Sequence, residues 1–308
     1  MFKTEENFGI LNIFEKMDKR TELVYNINIY AFARSDPKSG LFGTIESKAI
    51  RSSERLYKRL TGKHMKAENK EQRSFTLRNY ETDFLRRVKP SAVLGFFQET
   101  AGDHSEKMGM GYADLAAEGC FWVLSKIYVE CERRPICGET LLVETWPHEP
   151  NKAIYERSFR VSDRDGVAMR AYSRWCILRK NGRIVPCSAI THPSIDYIAE
   201  KSVAFDDWRI PEITDREEPA FTIRVANSEY DFNYHVNNIK YADYIFNCFS
   251  VKELEEKVLH GFQIHYIKQS HEGDALNFYR KEISENEYVV EGVKNGTETV
   301  VAARVYFR

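Results

Sequence analysis

"DFNYHVNNIKYADYI", residues 231–245, decides how this chain is read. Its first half alternates polar and apolar residues, and its second half carries a helical period. A shift of 148 positions, from Asp231 back to Asp83, lays it on "DFLRRVKPSAVLGFF", residues 83–97. Phe232 then falls on Phe84, Val236 on Val88 and Ile245 on Phe97.

The surroundings repeat as well. In the first copy an alternating run, FTLRNYETD, precedes a helix opened by Pro90, whose Val93, Phe97 and Ala101 fall four apart. Strand-like runs follow: FWVLSKIYVECE, TLLVETWP, AIYERSFRVSD and AMRAYSRWCILR, with DRDG reading as a hairpin turn. In the second copy FTIRVANSEYD precedes NNIKYADYIFNCF, whose Ile239, Ala242, Ile245 and Phe249 share a face. GFQIHYIKQS, ALNFYRKE, EYVVEGVKNG and ETVVAARVYFR then read as strands. Gly138-Glu139 and Gly273-Asp274 open the equivalent strand of each copy. Two tandem α+β domains result, each an antiparallel sheet with a central helix long enough to be wrapped by it.

The expected boundaries follow. Residues 73–187 form the first domain and 220–308 the second. Residues 188–219, with Pro193, Pro211 and Pro219 and no sustained period, form the connection. Residues 1–72 are an N-terminal extension without an assigned role, with a strand-like run at Leu23–Phe32 and a helix-like run at Glu46–Leu60. Met65, just before the patterned region, is a candidate start for the working protein.

The 308 residues carry 45 basic and 46 acidic side chains, so no basic footprint for nucleic acid or a membrane surface stands out. No apolar run reaches transmembrane length, and the charged N-terminus has no signal-peptide core. Cys120, Cys131, Cys137, Cys176, Cys187 and Cys248 include no CxxC pair, which fits a reducing cytoplasm. His260, His265 and His271 lack the spacing of a zinc helix, so no metal and no cofactor are expected.

On an extended segment Asp231, Asn233 and His235 share one face, and Phe232, Tyr234 and Val236 face packing on the other. The first copy has Leu85 and Arg87 where the second has Asn233 and His235. A need of the shared fold appears in both copies, whereas a chemical need appears in one. An Asp, an Asn and a His at the start of a helix capped by Asn237 or Asn238 suit hydrolysis. His is a base near neutral pH, Asp orients it, and Asn donates to a developing oxyanion. A polar β-turn with backbone-bonded Asp and Asn explains the same residues, and spacing alone does not choose. Glu99 and His104 on the first helix form a weaker acid/base pair, Lys240 is a lone cation, and Cys248 reads as core.

The segment DFNYHVNNIKYADYI resembles the D-x-N-x-H-V-N-N motif of plant and bacterial acyl-acyl carrier protein thioesterases. FFQETAGDHSEKMGMGYADLAAEGCFWVLSK, RPICGETLLVETWP, RSFRVSDRDG and AYSRWCILR resemble that family's N-terminal domain. The resemblance covers residues 73 to 308 and implies a tandem double hot-dog fold. It further implies hydrolysis of a fatty acyl thioester on acyl carrier protein, ending chain elongation. Asp231, Asn233 and His235 match the family's functional positions, and the first domain would shape the acyl pocket. Plant members carry a Glu-Cys pair where this chain has Gln269 and Ser270. A covalent cysteine route is therefore not expected. The expectation is direct attack by water, with His235 as base, Asn233 on the carbonyl, and Gln269 and Ser270 positioning water or substrate. Alternatives are an acyl-coenzyme A thioesterase and a non-catalytic acyl-binding protein. A dimer of the two-domain unit is left open.

Overall fold

The structure, a computed structural model, describes residues 67–231 and 234–308. The runs expected at 23–32 and 46–60, the start expected at Met65, and both Phe232 and Asn233 lie outside the described residues.

One antiparallel sheet carries the fold. In the first half it is built from β1 (Glu71–Thr76), β2 (Cys120–Cys131), β3 (Thr140–Pro147), β4 (Tyr155–Asp163), β5 (Gly166–Arg179) and the short β6 (Ile184–Val185). The second half adds β7 (Phe221–Arg224), β8 (Leu259–Tyr266), β9 (Ala275–Ser284), β10 (Glu287–Lys294) and β11 (Glu298–Phe307). The spatial order is β1-β3-β4-β5-β2-β8-β11-β10-β9-β7, with β6 on β5. Outward from the β2–β8 contact, the two halves are the same list: β2 matches β8, β5 matches β11, β4 matches β10, β3 matches β9 and β1 matches β7.

This is the tandem double hot-dog arrangement, an α+β fold with the sheet curled round its helices. The long helix α1 (Pro90–Lys107) starts at Pro90, whose missing N–H is one of the donors a helix start leaves free anyway. Val93, Phe97 and Ala101 are buried against the sheet, and Phe97 stacks on Phe159 of β4 at 4.4 Å between ring centroids. A buried side chain of this size stabilises by about 1.5–3 kcal/mol. A short helix α2 (Tyr112–Ala117) leads into β2.

The central helix of the second half, α3 (Asn238–Phe246), has nine residues, half the length of α1. The sequence pattern carried it through Phe249. It ends at Phe246, with Asn247 as its C-terminal cap, and a capping box of Ser250 and Glu253 starts a separate helix, α4 (Val251–Glu256). Ala242, Ile245 and Phe249 are nevertheless buried, as their common face requires. No described helix is long and apolar enough to cross a membrane.

The two halves meet edge to edge from Lys126↔His265 to Glu130↔Gly261. Gly261 permits this approach, because a Cβ there would lie 2.8 Å from the carbonyl oxygen of Val129. One buried apolar cluster runs through both halves beneath the joint. Gly261→Ala is expected to destabilise the protein by about 1–3 kcal/mol, the usual cost of overpacking. Urea denaturation followed by tryptophan fluorescence measures it, and an unchanged midpoint would show that the joint tolerates a side chain.

Candidate active site

The internal repeat holds down to single hydrogen bonds. Each copy has a 3-10 turn, Asn79–Glu81 and Asn227–Glu229, closed by a glutamate that accepts from the backbone N–H of Arg78 or Ala226. An isolated bridge follows in each, Thr82 with Val88 and Tyr230 with Val236. Asp83 donates its N–H to the Arg87 carbonyl, and Asp231 donates its own to the His235 carbonyl. Inside these loops Arg86 has φ 61° and Tyr234 φ 64°. The shared positive φ, uncommon for large side chains, marks a backbone over-determined by its surroundings.

The segment is therefore a tight turn and not the extended run that alternation suggests. Val236 is buried as expected, but Tyr234 is 81 % exposed and packs against no core. The turn brings residues four apart together: His235 Nδ1 lies 3.9 Å from Asp231 Oδ1. That is too long for a hydrogen bond and short enough for charge to matter. Asn237 caps α3, its Oδ1 accepting from the Ile239 N–H at 3.0 Å. The positive end of α3 thus opens two residues after His235.

The same loop does different work in the first copy. Asp83 is held by Arg87 Nε at 3.1 Å and by Arg134 Nη1 at 3.0 Å. Val88 donates to the carbonyl of Pro135 and Val236 to that of Ser270, so Arg134 occupies the place of Gln269. Asp-Arg-Arg in one copy stands where Asp-His-Gln stands in the other. The first set is a closed ion cluster. The second places a histidine 3.9 Å from the carboxylate and replaces the second arginine by an uncharged glutamine.

Gln269 is exposed, and its backbone carbonyl accepts from Lys294. Ser270 is fully buried, with its Oγ accepting from the Tyr241 hydroxyl at 2.9 Å. Its side chain fastens the loop to α3. Burial pushes the His235 pKa below its usual value; Asp231 opposes that shift and nearby His271 adds to it. His235 is thus neutral near pH 7, the form that accepts a proton.

A cavity of about 360 Å³ lies beside this loop. It runs between α1 and the first-half sheet, past Leu94, Phe97, Leu124 and Phe159, and its wall includes Asp231, Asn238, Ile239 and Tyr266 from the second half. Where α1 passes α3, a Cβ on Gly95 would sit 3.7 Å from Ile239 Cδ1. In the second half the corresponding space is filled by rings, with Tyr244 against Phe278 at 5.6 Å and Phe249 against Tyr288 at 5.3 Å.

The weaker candidates separate. Glu99 is exposed and pairs with Arg73, while His104 is buried and faces the opposite way, so they form no acid/base pair. Cys248 is buried, and burial pushes its thiol up to about 12, which suits core packing. Among the described residues no cluster of three or more His, Cys, Asp or Glu is placed to hold a metal. Sequence reasoning missed Asn238, Ile239 and Tyr266 as cavity wall. It also missed Arg157, although adjacent charges at Glu156 and Arg157 interrupt the strand alternation and were the available signal.

Residues 68–189 match the acyl-ACP thioesterase N-terminal domain, and residues 212–307 match the acyl-ACP thioesterase C-terminal domain. An acyl-[acyl-carrier-protein] hydrolase, FATB3, of Cuphea viscosissima chloroplasts is 24% identical over 224 residues, covering 66% of this chain and 52% of that protein. The chloroplast palmitoyl-acyl carrier protein thioesterase of Arabidopsis thaliana is 24% identical over 216 residues, covering 64% of this chain and 51% of its own. The chain spans about half the length of the curated relatives it matches. A crystal structure of an acyl-ACP thioesterase from Bacteroides thetaiotaomicron superposes with a TM-score of 0.72 at 28% identity, covering 78% of this chain and 98% of that one. The 12:0-ACP thioesterase of Umbellularia californica shares the fold, with a TM-score of 0.68 at 21% identity over 78% of this chain and 97% of its own.

His235 is expected to titrate below 6.5, its ordinary value. Asp231 raises the pKa of His235, so Asp231→Asn should move the midpoint further down. NMR titration of the His235 ring reads both, and an upward move in the variant would contradict the assigned coupling.

Proposed function

Because this chain belongs to the acyl-ACP thioesterase family, we propose that it hydrolyses fatty acyl thioesters of acyl carrier protein to free fatty acid and carrier protein. The carrying observation is that Asp231, 3.9 Å from His235, stands on the wall of a largely apolar cavity. An acyl chain in that cavity places its thioester beside the turn. In this reading residues 73–187 shape the chamber, 188–219 connect, and 220–308 supply the chemistry.

In the proposed reaction His235 takes a proton from a water molecule as the water oxygen attacks the thioester carbonyl carbon. The Asp231 carboxylate, within Coulombic range, stabilises the imidazolium that forms. The carbonyl π electrons move to oxygen, where the N-terminus of α3 favours the negative charge. Asn233 is assigned to the same oxygen by its place in the motif. The tetrahedral adduct collapses, the C–S bond breaks, and the thiolate leaves with the proton returned by His235. No covalent acyl-enzyme is needed, since a thiolate is a good leaving group. The buried, Tyr241-bonded Ser270 side chain fits a supporting part, and Gln269 is assigned to water positioning.

His235→Ala is expected to lower kcat by at least about a hundredfold on a panel of acyl-carrier-protein chain lengths, the usual scale of general-base catalysis. The acidic limb of the wild-type rate profile should lie below pH 6.5, because the base works neutral and burial holds its pKa down. Binding of acyl carrier protein without hydrolysis by the wild type would replace the enzyme reading with that of an acyl-binding protein.

A further inference from the structure

Arg157 on β4 is 7 % exposed, lines the cavity, and forms no ion pair among the described residues. Its Nη1 donates to His104 Nδ1 at 3.1 Å and to Thr145 Oγ1 at 3.3 Å. Its Nε and Nη2 have no hydrogen-bond partner among the described residues. Neither neighbour supplies negative charge. Thr145 donates its own hydrogen to the Ser158 carbonyl at 2.9 Å. His104, 1 % exposed, bonds the Glu68 carbonyl through Nε2, and since Nδ1 accepts from Arg157 it is the neutral Nε2–H tautomer. Burial and the guanidinium hold its pKa down to about 4, so it stays neutral. A buried cation of this kind asks for an acceptor.

The fold itself does not ask for the cation. Thr145 opposes Phe159 in the first half and Arg280 opposes Val290 in the second, so the place of Arg157 is taken in the second half by Tyr288. Tyr288 packs between Phe249 and Phe307. As at the turn, one structural place differs between the copies: here a buried cation in the first and aromatic packing in the second.

Position along α1 gives the register. His104 follows Gly95, the point of contact with α3, by nine residues. At 1.5 Å per residue that is about 13 Å along the helix axis. A fully extended chain advances roughly 1.2 Å per bond, so about ten bonds separate the catalytic end from Arg157.

We propose that Arg157, seated on His104 and Thr145, forms a polar subsite of the acyl cavity that binds an oxygen acceptor carried near the far end of a medium-length acyl chain. The favoured substrates are therefore acyl thioesters oxygenated near the ω end, as hydroxyl, keto or carboxyl. The inference rests on the cavity holding the acyl chain, as in the function proposed above. It does not rest on hydrolysis.

The test is binding of two non-hydrolysable probes, the amide analogues of decanoyl-pantetheine and ω-hydroxydecanoyl-pantetheine, to the full chain. Fluorescence of Trp122 and Trp175, both on the cavity wall, reports occupancy. The ω-hydroxy probe should bind the wild type at least about tenfold more tightly, as a hydrogen bond to a charged group allows. Arg157→Met should abolish or reverse that ratio. Equal affinities in the wild type would overturn the proposal and leave Arg157 as a mere end wall, as would an unchanged ratio in Arg157→Met or failure of both probes to bind. If the variant does not fold by circular dichroism, the wild-type ratio alone decides. A tenfold preference in a chain that hydrolyses no acyl thioester of acyl carrier protein would sink the enzyme reading and leave this subsite standing.

Discussion

The antiparallel pairing of β2 with β8 is the constraint on which the rest depends. Five residue pairs, Lys126 with His265 through Glu130 with Gly261, join two sheets that each end in an otherwise open edge. An open edge of that length invites pairing with another chain, and here it is satisfied within the molecule. The same pairing sets α1 against α3, with Ile239 in contact range of Gly95. The turn of the second half is thereby delivered to the wall of a cavity that belongs mostly to the first half.

Duplication lets the two copies divide the work. Both keep the turn, its positive-φ residue and its aspartate. In the first copy Asp83 is locked by Arg87 and Arg134, which ties the loop down as a structural cluster. In the second, histidine and glutamine at those places leave a carboxylate beside a titratable base. The cores diverge in the complementary sense: rings fill the second half, while the first retains open space. A single domain would have to be both well packed and hollow around one helix. The side chains lining a void forgo dispersion attraction on that side, so the filled half supports the hollow one.

Much of this was legible in the sequence because it is local or periodic. Pro90 and the four-residue spacing of Val93, Phe97 and Ala101 gave α1, DRDG gave the β4–β5 hairpin, and the Asp83/Asp231 shift exposed the repeat. The capping role of Asn237 was readable for the same reason. The turn conformation was not, since alternating residues suit an extended strand, whereas bonds within the turn, Asp231 N–H to the His235 carbonyl and Tyr234 N–H to the Asp231 carbonyl, and the long-range bond from Val236 to Ser270 hold it closed. The shorter α3 was hidden because the apolar period runs on to Phe249, three residues past the end of the helix. The cavity and the seat of Arg157 were out of reach, because residues from α1, β3 and β4 make them only once packed. Asn233, the third member of the polar set, lies outside the described residues, and its proposed role rests on the sequence alone.

The central claim is that one half supplies the chemistry and the other the chamber. A crystal structure with a non-hydrolysable acyl-pantetheine amide bound tests it most directly. The account expects the amide carbonyl beside Asp231 and Asn238, and the acyl chain running between α1 and the first-half sheet. A chain seated against α3 within the second half, or a carbonyl remote from His235, would contradict it.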